Sequence, residues 1–295
     1  MIITEEIKSL EREFWGGNAA DYDARLGAYS GRFCADLIDY LSPQKGERGL
    51  DIGGGSGAAG LKMAARIGVQ GSVTIVDLAP EMLRIASDKA IAHEFSNVQT
   101  VVMDAEKLEF ADSTFDLASC SFAAPSFPNI SLAIAEMKRI LRPGGRAGFV
   151  IWSHPDRFPL FVEHASALAH RTLSIPTKWL IDMPSLGKGL RRRIITRPGP
   201  WGLSPLRFST PGSLESELTR AGFEDVRRKP RAFPIEFASF EDYWQTALRV
   251  VPLQAAHEAS VSAIKEQLRA KIVNNGDGRM TLWNEAAVIL AKNPA

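Results

Sequence analysis

The sequence predicts an α/β fold in which a doubly wound parallel sheet is covered by helices on both faces. Short segments rich in Val, Ile and Phe alternate with helical segments along the chain, and such alternation implies a parallel sheet. A glycine-rich turn, Gly53–Gly57, follows the first apolar segment, and the acids Asp77 and Asp104 follow the next two. Because parallel sheets bind ligands at the carboxyl ends of their strands, these residues mark one candidate binding edge.

Two helices, Thr4–Trp15 and Tyr29–Leu41, are predicted before the first strand, with a turn at Gly16–Asn18 between them. The predicted strands are short and bounded by Gly, Asp or Pro. They are Gly49–Ile52, Ser72–Asp77, Val98–Met103, Phe115–Ser119 and Arg146–Trp152. The helices between them are Gly57–Ile67, Pro80–Glu94 and Ile130–Leu141, the last followed by a glycine stop at Gly144–Gly145.

The alternation stops after Trp152. Residues Ser153–Ser209 are rich in Pro, Arg and aromatic residues, which indicates an insertion that acts as a lid. The elements predicted after it are a helix at Ser213–Ala221, a strand at Phe223–Lys229, helices at Ser239–Val250 and Ala255–Lys271, and a strand at Met280–Ala291. We therefore expect a helical N-terminal cap (1–45), a ligand-binding core (46–152), the lid (153–209) and a C-terminal completion of the core sheet with added helices (210–295).

The composition of the 295 residues is ordinary for a globular chain, with 45% hydrophobic and 23% charged residues. A net charge of +1 gives no reason to expect nucleic-acid binding. Cys34 and Cys120 are far apart and match no metal spacing, which fits a reducing compartment. The first residues carry no signal-peptide pattern, and no apolar stretch is long enough to span a bilayer. We expect a cytoplasmic protein without a metal site or membrane span; a homo-oligomer stays open.

The glycine turn fits two ligand classes. Gly55–Gly60 matches the dinucleotide fingerprint G-x-G-x-x-G, whereas Asp51, Gly53, Gly55 and Gly57 match D/E-x-G-x-G-x-G. The dinucleotide alignment leaves two extra residues between the strand and its first glycine. An acid within the strand also suits a cationic ligand better than a pyrophosphate. The motif therefore favours S-adenosylmethionine (SAM) over NAD.

The two strand-end acids suit an adenosine ligand. A carboxylate at Asp77 can accept both ribose hydroxyls, in NAD and SAM alike; the alternative is an ordinary strand-end acid. Asp104 and its neighbouring backbone N–H can read the adenine edge, or else Asp104 caps the following turn.

Taken in order, these motifs resemble the class I SAM-dependent methyltransferases, in particular the small-molecule branch that includes ubiquinone- and menaquinone-biosynthesis-type enzymes. The resemblance is strong over Gly49–Trp152 and weak at Ala221–Phe223 and Asn284–Lys292. The segments that carry it are Asp51–Gly57, Asp77, Asp104-Ala105, Phe115–Phe122 and Leu141–Gly145.

The resemblance implies a Rossmann-like, seven-stranded sheet whose last strand is antiparallel. It also implies SAM as cofactor and S-adenosylhomocysteine (SAH) as product. Trp15–Asp23 resembles the segment that folds over SAM in this branch, where Tyr22 would cover the methionine half. The cofactor-binding residues it implies are Tyr22, Asp51, Gly53, Gly55, Gly57, Asp77, Leu78, Asp104, Ala105 and Ser121.

The expected activity is methyl transfer to an oxygen, nitrogen or carbon atom of a small organic molecule, in secondary or quinone-type metabolism. Two alternatives stay open: a SAM-binding protein whose pocket performs a non-methylating reaction, and an NAD(P)-dependent oxidoreductase. His154 follows the fifth strand and is the best-placed general base, unless it is only a strand-end histidine.

The predicted lid bears on the acceptor. Arg191–Arg193 would recognise an anionic group, or else form a solvated face. Five aromatic residues of the lid would form the wall for an aromatic or isoprenoid acceptor, or else the lid's own core. They are Phe158, Phe161, Trp179, Trp201 and Phe208.

Overall fold

The structure is a computed structural model that describes residues 4–153, 206–250 and 278–295, together with Arg157, Ser262, Lys265, Glu266 and Arg269. These residues fall into two compact units. The first holds 4–152, 206–231 and 286–295, and the second holds the other described residues. Most of the predicted helix Ala255–Lys271 and most of the predicted lid lie outside the described residues; the described residues of the former, Ser262, Lys265, Glu266 and Arg269, are helical.

Seven strands make up one mixed sheet within the described part of the chain. The strands are β1 (Arg48–Ile52), β2 (Ser72–Asp77), β3 (Val98–Val102), β4 (Phe115–Ser121), β5 (Leu141–Trp152), β6 (Glu224–Phe237) and β7 (Met280–Lys292). Their spatial order is β3-β2-β1-β4-β5-β7-β6. The pairs β1–β2, β1–β4, β2–β3 and β4–β5 are parallel, whereas β7 runs antiparallel to β5. The implied Rossmann-like sheet with an antiparallel last strand is thus confirmed.

The helices follow the predicted order over the described core, with one short helix, Ala19–Tyr22, that the sequence does not predict. They are α1 (Thr4–Gly17), α2 (Ala19–Tyr22), α3 (Ala28–Leu41), α4 (Gly60–Ile67), α5 (Pro80–Ala92), α6 (Ile130–Ile140), α7 (Ser213–Arg220) and α8 (Phe240–Val250). A π-helical turn, Asp23–Gly27, joins α2 to α3, and a short 3₁₀ turn, Ala124–Ser126, follows β4.

The predicted turn at Gly16–Asn18 is confined to Asn18, since α1 runs through Gly17 and α2 begins at Ala19. The backbone N–H of Asn18 donates to Phe14 O over 3.2 Å, and that of Tyr22 donates to Asn18 O over 2.8 Å, so helical bonding continues through the glycines. Glycine costs a helix about 1 kcal/mol but does not forbid it. Packing of Trp15 and Ala19 against α5 offsets this cost.

Strands β5 and β6 are both longer than the sequence predicts, for reasons outside the local pattern. Strand β5 already begins at Leu141, which pairs with Phe115 across a register shift before the regular pairing resumes. Strand β6 runs on to Phe237, well past the predicted Lys229. Both extensions are set by pairing within the sheet rather than by local propensity.

Burial follows the sheet's position between two helical layers. Strands β1, β2 and β4 are buried along almost their whole length, as expected when both faces of a parallel sheet are covered. On one face α3 packs directly on the backbone of β5, because a Cβ added at Gly148 would lie 2.5 Å from Leu37. Phe208, which the sequence assigned to the lid, is buried in the main core with Leu214 and Leu218.

Among the described residues, no helix has both the length and the apolar character needed to cross a bilayer.

Asn293 holds the turn between α6 and the regular part of β5. Its side-chain amide donates to Leu141 O over 2.9 Å and to Arg142 O over 3.1 Å, and it is buried. Asn293→Ala should lower the free energy of unfolding by about 1–3 kcal/mol, because these carbonyls lose their donor. Urea unfolding measures the effect. The neighbouring exposed Lys292→Ala should stay within about 0.5 kcal/mol of the parent, and equal behaviour of the two variants would contradict this role.

Candidate functional site

A cavity opens at the carboxyl ends of β1, β2, β3 and β4, beside the point where the strand order reverses between β1 and β4. This is where open α/β sheets bind their ligands. Nine of the ten residues expected to bind cofactor line it. They are Tyr22, Asp51, Gly53, Gly55, Asp77, Leu78, Asp104, Ala105 and Ser121. Each is delivered by a strand end or by the helical cap, so the sheet topology brings them together.

Asp51 fixes the start of the glycine turn. Its Oδ2 accepts the backbone N–H of Gly60 over 2.8 Å, and its Oδ1 accepts the hydroxyl of Ser119 over 2.6 Å. The residue is fully buried. Burial raises the pKa of Asp51 to about 6, against the two hydrogen bonds, which lower it, while the nearby charge of Asp77 adds to the rise. The carboxylate therefore joins the end of β1 to α4 and β4.

Asp77 closes the turn from the opposite side. Its Oδ2 accepts the backbone N–H of Gly55 over 3.0 Å, and its Oδ1 accepts that of Ala79 over 2.9 Å. Burial raises the pKa of Asp77 above its ordinary value, and these backbone hydrogen bonds oppose the rise. The carboxylate is thus held in one orientation at the cavity wall before any ligand binds.

The glycines of the turn have different tasks. Gly53 and Gly55 have φ angles of +61° and +53°, which L side chains rarely adopt. A Cβ at Gly53 would lie 2.3 Å from Ala123, whereas a Cβ at Gly55 would meet nothing nearer than 3.9 Å. Gly57 lies outside the cavity lining, and a Cβ there would crowd Ala86 and Leu61 at 3.1 Å. Gly55 therefore leaves open space beside the cavity, while Gly57 permits close packing of helices.

The helical cap supplies another wall. Tyr22 and Ser30 both line the cavity, and the Tyr22 hydroxyl donates to Ser30 Oγ over 3.2 Å. Eight residues of a regular α-helix would leave them about 80° apart around the axis. The wider π-helical turn between them has a smaller rotation per residue, which brings both side chains onto one face. Burial raises the pKa of Tyr22 to about 12, so its hydroxyl keeps its proton near neutral pH.

Charge in the cavity is predominantly negative. Its acidic lining residues are Glu11, Asp51, Asp77, Asp104 and Glu106, and its basic ones are Lys8 and Arg12. Two backbone N–H groups of the glycine turn, at Gly55 and Gly60, already donate to carboxylates of the protein. A pyrophosphate needs such N–H groups for itself and is repelled by acids. The charge of the cavity therefore favours a positively charged ligand over a pyrophosphate.

Lys8 is the residue that the sequence reasoning missed. It lies on α1 and is buried, with its Nζ 2.7 Å from Asp104 Oδ2 and 2.9 Å from Glu106 Oε2. Burial lowers the pKa of Lys8, but its bonds to the two carboxylates outweigh burial and leave the pKa above its ordinary value. A lysine on an amphipathic helix normally faces solvent, so only the tertiary structure shows this contact.

The end of β4 carries a strained aromatic residue. Phe122 lines the cavity with φ at +62°, an uncommon conformation for a bulky side chain. Its ring stacks on Trp152 at 4.2 Å, and the ring of Phe33 meets it edge-on at 5.9 Å. The neighbouring Ser121 Oγ is buried and has no hydrogen-bond partner among the residues described. This wall therefore presents an aromatic face and an unsatisfied hydroxyl.

The predicted base, His154, and the predicted arginine cluster, Arg191–Arg193, lie outside the described residues. Over the described ranges, no group of three or more His, Cys, Asp or Glu residues is arranged to hold a metal ion.

Comparison with known proteins gives a family. The profile of the ubiE/COQ5 methyltransferase family matches residues 32–171. The ubiquinone/menaquinone biosynthesis C-methyltransferase UbiE of Ectopseudomonas mendocina is 34% identical over 216 residues, covering 70% of this chain and 78% of that protein. UbiE of Teredinibacter turnerae is 36% identical over 120 residues, covering 40% of this chain and 48% of that one. The chain spans about half the length of the first such relatives.

A solved structure shares the fold. The crystal structure of the [4+2]-cyclase SpnF matches with a TM-score of 0.54 and 17% identity, covering 90% of this chain and 81% of that one. A fold can host unrelated reactions, so this likeness bears on architecture alone.

The buried Asp51 should make stability depend on pH. Between its unfolded-state value near 3.8 and about 6, the folded chain keeps a proton that the unfolded chain has released. The free energy of unfolding of the parent should therefore fall relative to Asp51→Asn as pH rises through this range, by on the order of 3 kcal/mol. Above it the difference should be constant. Urea unfolding from pH 4 to 7 measures this, and a difference that does not change with pH would refute it.

Proposed function

The chain belongs to the ubiE/COQ5 methyltransferase family, and we propose that it binds SAM and transfers the methyl group to a small organic molecule. One observation carries the proposal: Asp77, fixed by Gly55 and Ala79, lies beside a glycine turn at the switch point of the sheet. That is the place for a carboxylate that accepts the ribose hydroxyls of an adenosine ligand.

The residues present fit the cofactor. Gly55 leaves open the space that a Cβ would occupy, and Ser121 Oγ is a buried hydroxyl without a partner among the described residues. Tyr22 from the cap and Asp104 from the end of β3 complete the walls. We assign Asp77 to the ribose, Asp104 and Ala105 to the adenine, and Tyr22 to the methionine half.

The acidic character of the cavity argues for SAM against NAD(P). The sulfonium of SAM is positively charged, and nearby carboxylates stabilise a cation. The pyrophosphate of NAD would meet the same carboxylates as like charges, while the N–H groups of Gly55 and Gly60 are already engaged. The oxidoreductase alternative therefore loses the donors it depends on.

We propose a ring-containing acceptor of the quinone type, methylated at carbon. The relatives' names refer to ubiquinone and menaquinone biosynthesis, and the aromatic face of Phe122, supported by Trp152 and Phe33, can pack against a planar ring. SAM supplies an activated methyl group. The chain's task is to orient the acceptor and to exclude water. His154 remains our candidate base, and Arg191–Arg193 our candidate for an anionic acceptor group.

Product analysis tests the reaction itself. The protein is incubated with methyl-labelled SAM and a set of quinols, and the products are weighed by mass spectrometry with and without SAM. A product heavier by one labelled methyl group supports the proposal. A product of unchanged composition, formed only with SAM present, would instead indicate a non-methylating reaction in the same pocket.

Loss of Asp77 should weaken cofactor binding. Asp77→Ala removes a charged hydrogen-bonding partner, which costs about 1.5–3 kcal/mol, or roughly 10- to 150-fold in affinity. Isothermal titration with SAH measures it. Asp88→Ala serves as the control, because Asp88 is an exposed acid on α5 that pairs with Arg84 at 3.2 Å. Unchanged SAH affinity in Asp77→Ala, or NAD binding as tight as SAH binding, would contradict the assignment.

A side chain at Gly55 should block the cofactor. Gly55→Ala places a methyl group in the open space, at a φ that costs an L residue about 1–2 kcal/mol. Gly212→Ala is the control, because Gly212 is in the left-handed region with a φ of +87°, has no atom within 4 Å of its added Cβ, and lies outside the cavity lining. Both variants should lose similar stability in thermal unfolding. Only Gly55→Ala should lose SAH affinity; equal affinities would show that Gly55 does not face the ligand.

A further inference from the structure

Helix α1 reaches the cofactor cavity through the buried side chain of Lys8, which is 9% exposed. Its Nζ lies 2.7 Å from Asp104, 2.9 Å from Glu106 and 3.5 Å from Glu5 of the same helix. Asp104 sits at the end of β3, and Glu106 belongs to the turn that follows. Trp15 of α1 also packs against Ala79 and Met82.

Asp104 and Glu106 each also hold backbone of the cavity wall. Asp104 Oδ1 accepts the N–H of Glu106 over 2.9 Å, and Glu106 Oε1 accepts the N–H of Asn129 over 2.5 Å. Asn129 directly follows Phe127 and Pro128, which line the cavity, and Arg207 donates to Phe127 O over 2.5 Å. One connected set of polar contacts therefore runs from α1, through the end of β3, to the loop after β4.

We propose that Lys8 is a positioning residue that couples closure of α1 to recognition of the adenine by Asp104. The proposal rests on the cofactor assignment made above. With Lys8 docked, Asp104 has a fixed orientation, and its negative charge is balanced. Without the ammonium, two carboxylates with little exposure would face one another, and the arrangement that presents Asp104 to the adenine would be lost.

The coupling is reciprocal by thermodynamic linkage. If the docked form of α1 presents Asp104 correctly and the undocked form binds the same ligand more weakly, loss of the docked form lowers the apparent affinity towards that of the undocked form. A ligand that prefers the docked form must in turn increase the docked fraction by the same factor. Binding affinity and opening of α1 are then two measurements of a single equilibrium.

The test compares Lys8→Met, which keeps most of the length of the side chain but removes the charge, with Lys8→Arg, which keeps the charge. Titration with SAH should show a loss of roughly 10- to 100-fold for Lys8→Met, and Lys8→Arg should recover most of it. Amide exchange over residues 4–17 should be fast in Lys8→Met with or without SAH. In the parent it should slow when SAH is added.

A second ligand separates positioning from general structural damage. S-inosyl-L-homocysteine carries a carbonyl in place of the adenine amino group. The parent should prefer SAH, and Lys8→Met should lose most of this preference, whereas a generally damaged protein would weaken both ligands alike. Arg84→Met is the control, since it breaks an exposed ion pair with Asp88 at 3.2 Å on α5 and should behave like the parent.

The outcomes distinguish the two proposals. A parent that does not bind SAH would overturn the proposed function, while exchange of α1 without ligand still tests the Lys8 contact. If the parent binds SAH and Lys8→Met binds it equally well, or keeps the full preference over the inosyl analogue, the positioning role is wrong.

Discussion

The buried carboxylate of Asp51 is the interaction on which the geometry of the site depends. It lies at the end of β1 and accepts two hydrogen bonds, one from the backbone N–H of Gly60 at the start of α4 and one from the hydroxyl of Ser119 in β4. The glycine turn between Asp51 and Gly60 is thereby fixed at both ends, so its left-handed glycines need no ligand to hold their conformation. Removing the acceptor would leave a buried N–H and a buried hydroxyl unsatisfied, which is more costly than losing an exposed hydrogen bond.

This arrangement has an electrostatic consequence. Asp51 and Asp77 are both buried, and burial raises the pKa of each; for Asp51 the nearby charge of Asp77 adds to the rise. A cation placed between such groups relieves that repulsion, whereas an anion adds to it. Lys8 does the same for Asp104 and Glu106 from inside the protein. Among the described residues, the acidic pair Asp104 and Glu106 thus has a buried counter-ion, whereas the pair Asp51 and Asp77 has none within the contacts seen. The second pair is where a positively charged ligand gains most.

The sequence predicted the parts of the site that local chemistry determines. Strand ends, the glycine turn and the acids that follow strands are set within a few residues, so Asp51, Asp77 and Asp104 could be placed from the pattern alone. Parallel pairing of the strands then places these three acids at the same edge of the sheet. Gly57 belongs to the same motif, yet its glycine is needed for packing against Ala86, which the pattern cannot distinguish from ligand contact.

What the sequence could not predict depends on contacts between distant segments. Glycines at positions 16 and 17 indicate a turn because glycine lowers the local stability of a helix. The packing of Trp15 and Ala19 against α5 outweighs this cost, and the local sequence does not show it. Burial of Lys8 depends on Asp104, 96 residues away, and nothing in α1 itself signals it. The strand extensions of β5 and β6 have the same origin, since they are fixed by neighbouring strands.

The two sides of the cavity are therefore built on different principles. The cofactor side uses backbone groups and strand-end acids, which any sequence with this fold can supply. The side that begins at Phe122 depends on an uncommon φ of +62°, a conformation that costs of order 1–3 kcal/mol and persists only where the surroundings impose it. Stacking on Trp152 and the edge of Phe33 provide those surroundings. The shape of this wall therefore depends on contacts between distant segments, whereas the shape of the glycine turn is set within a few residues.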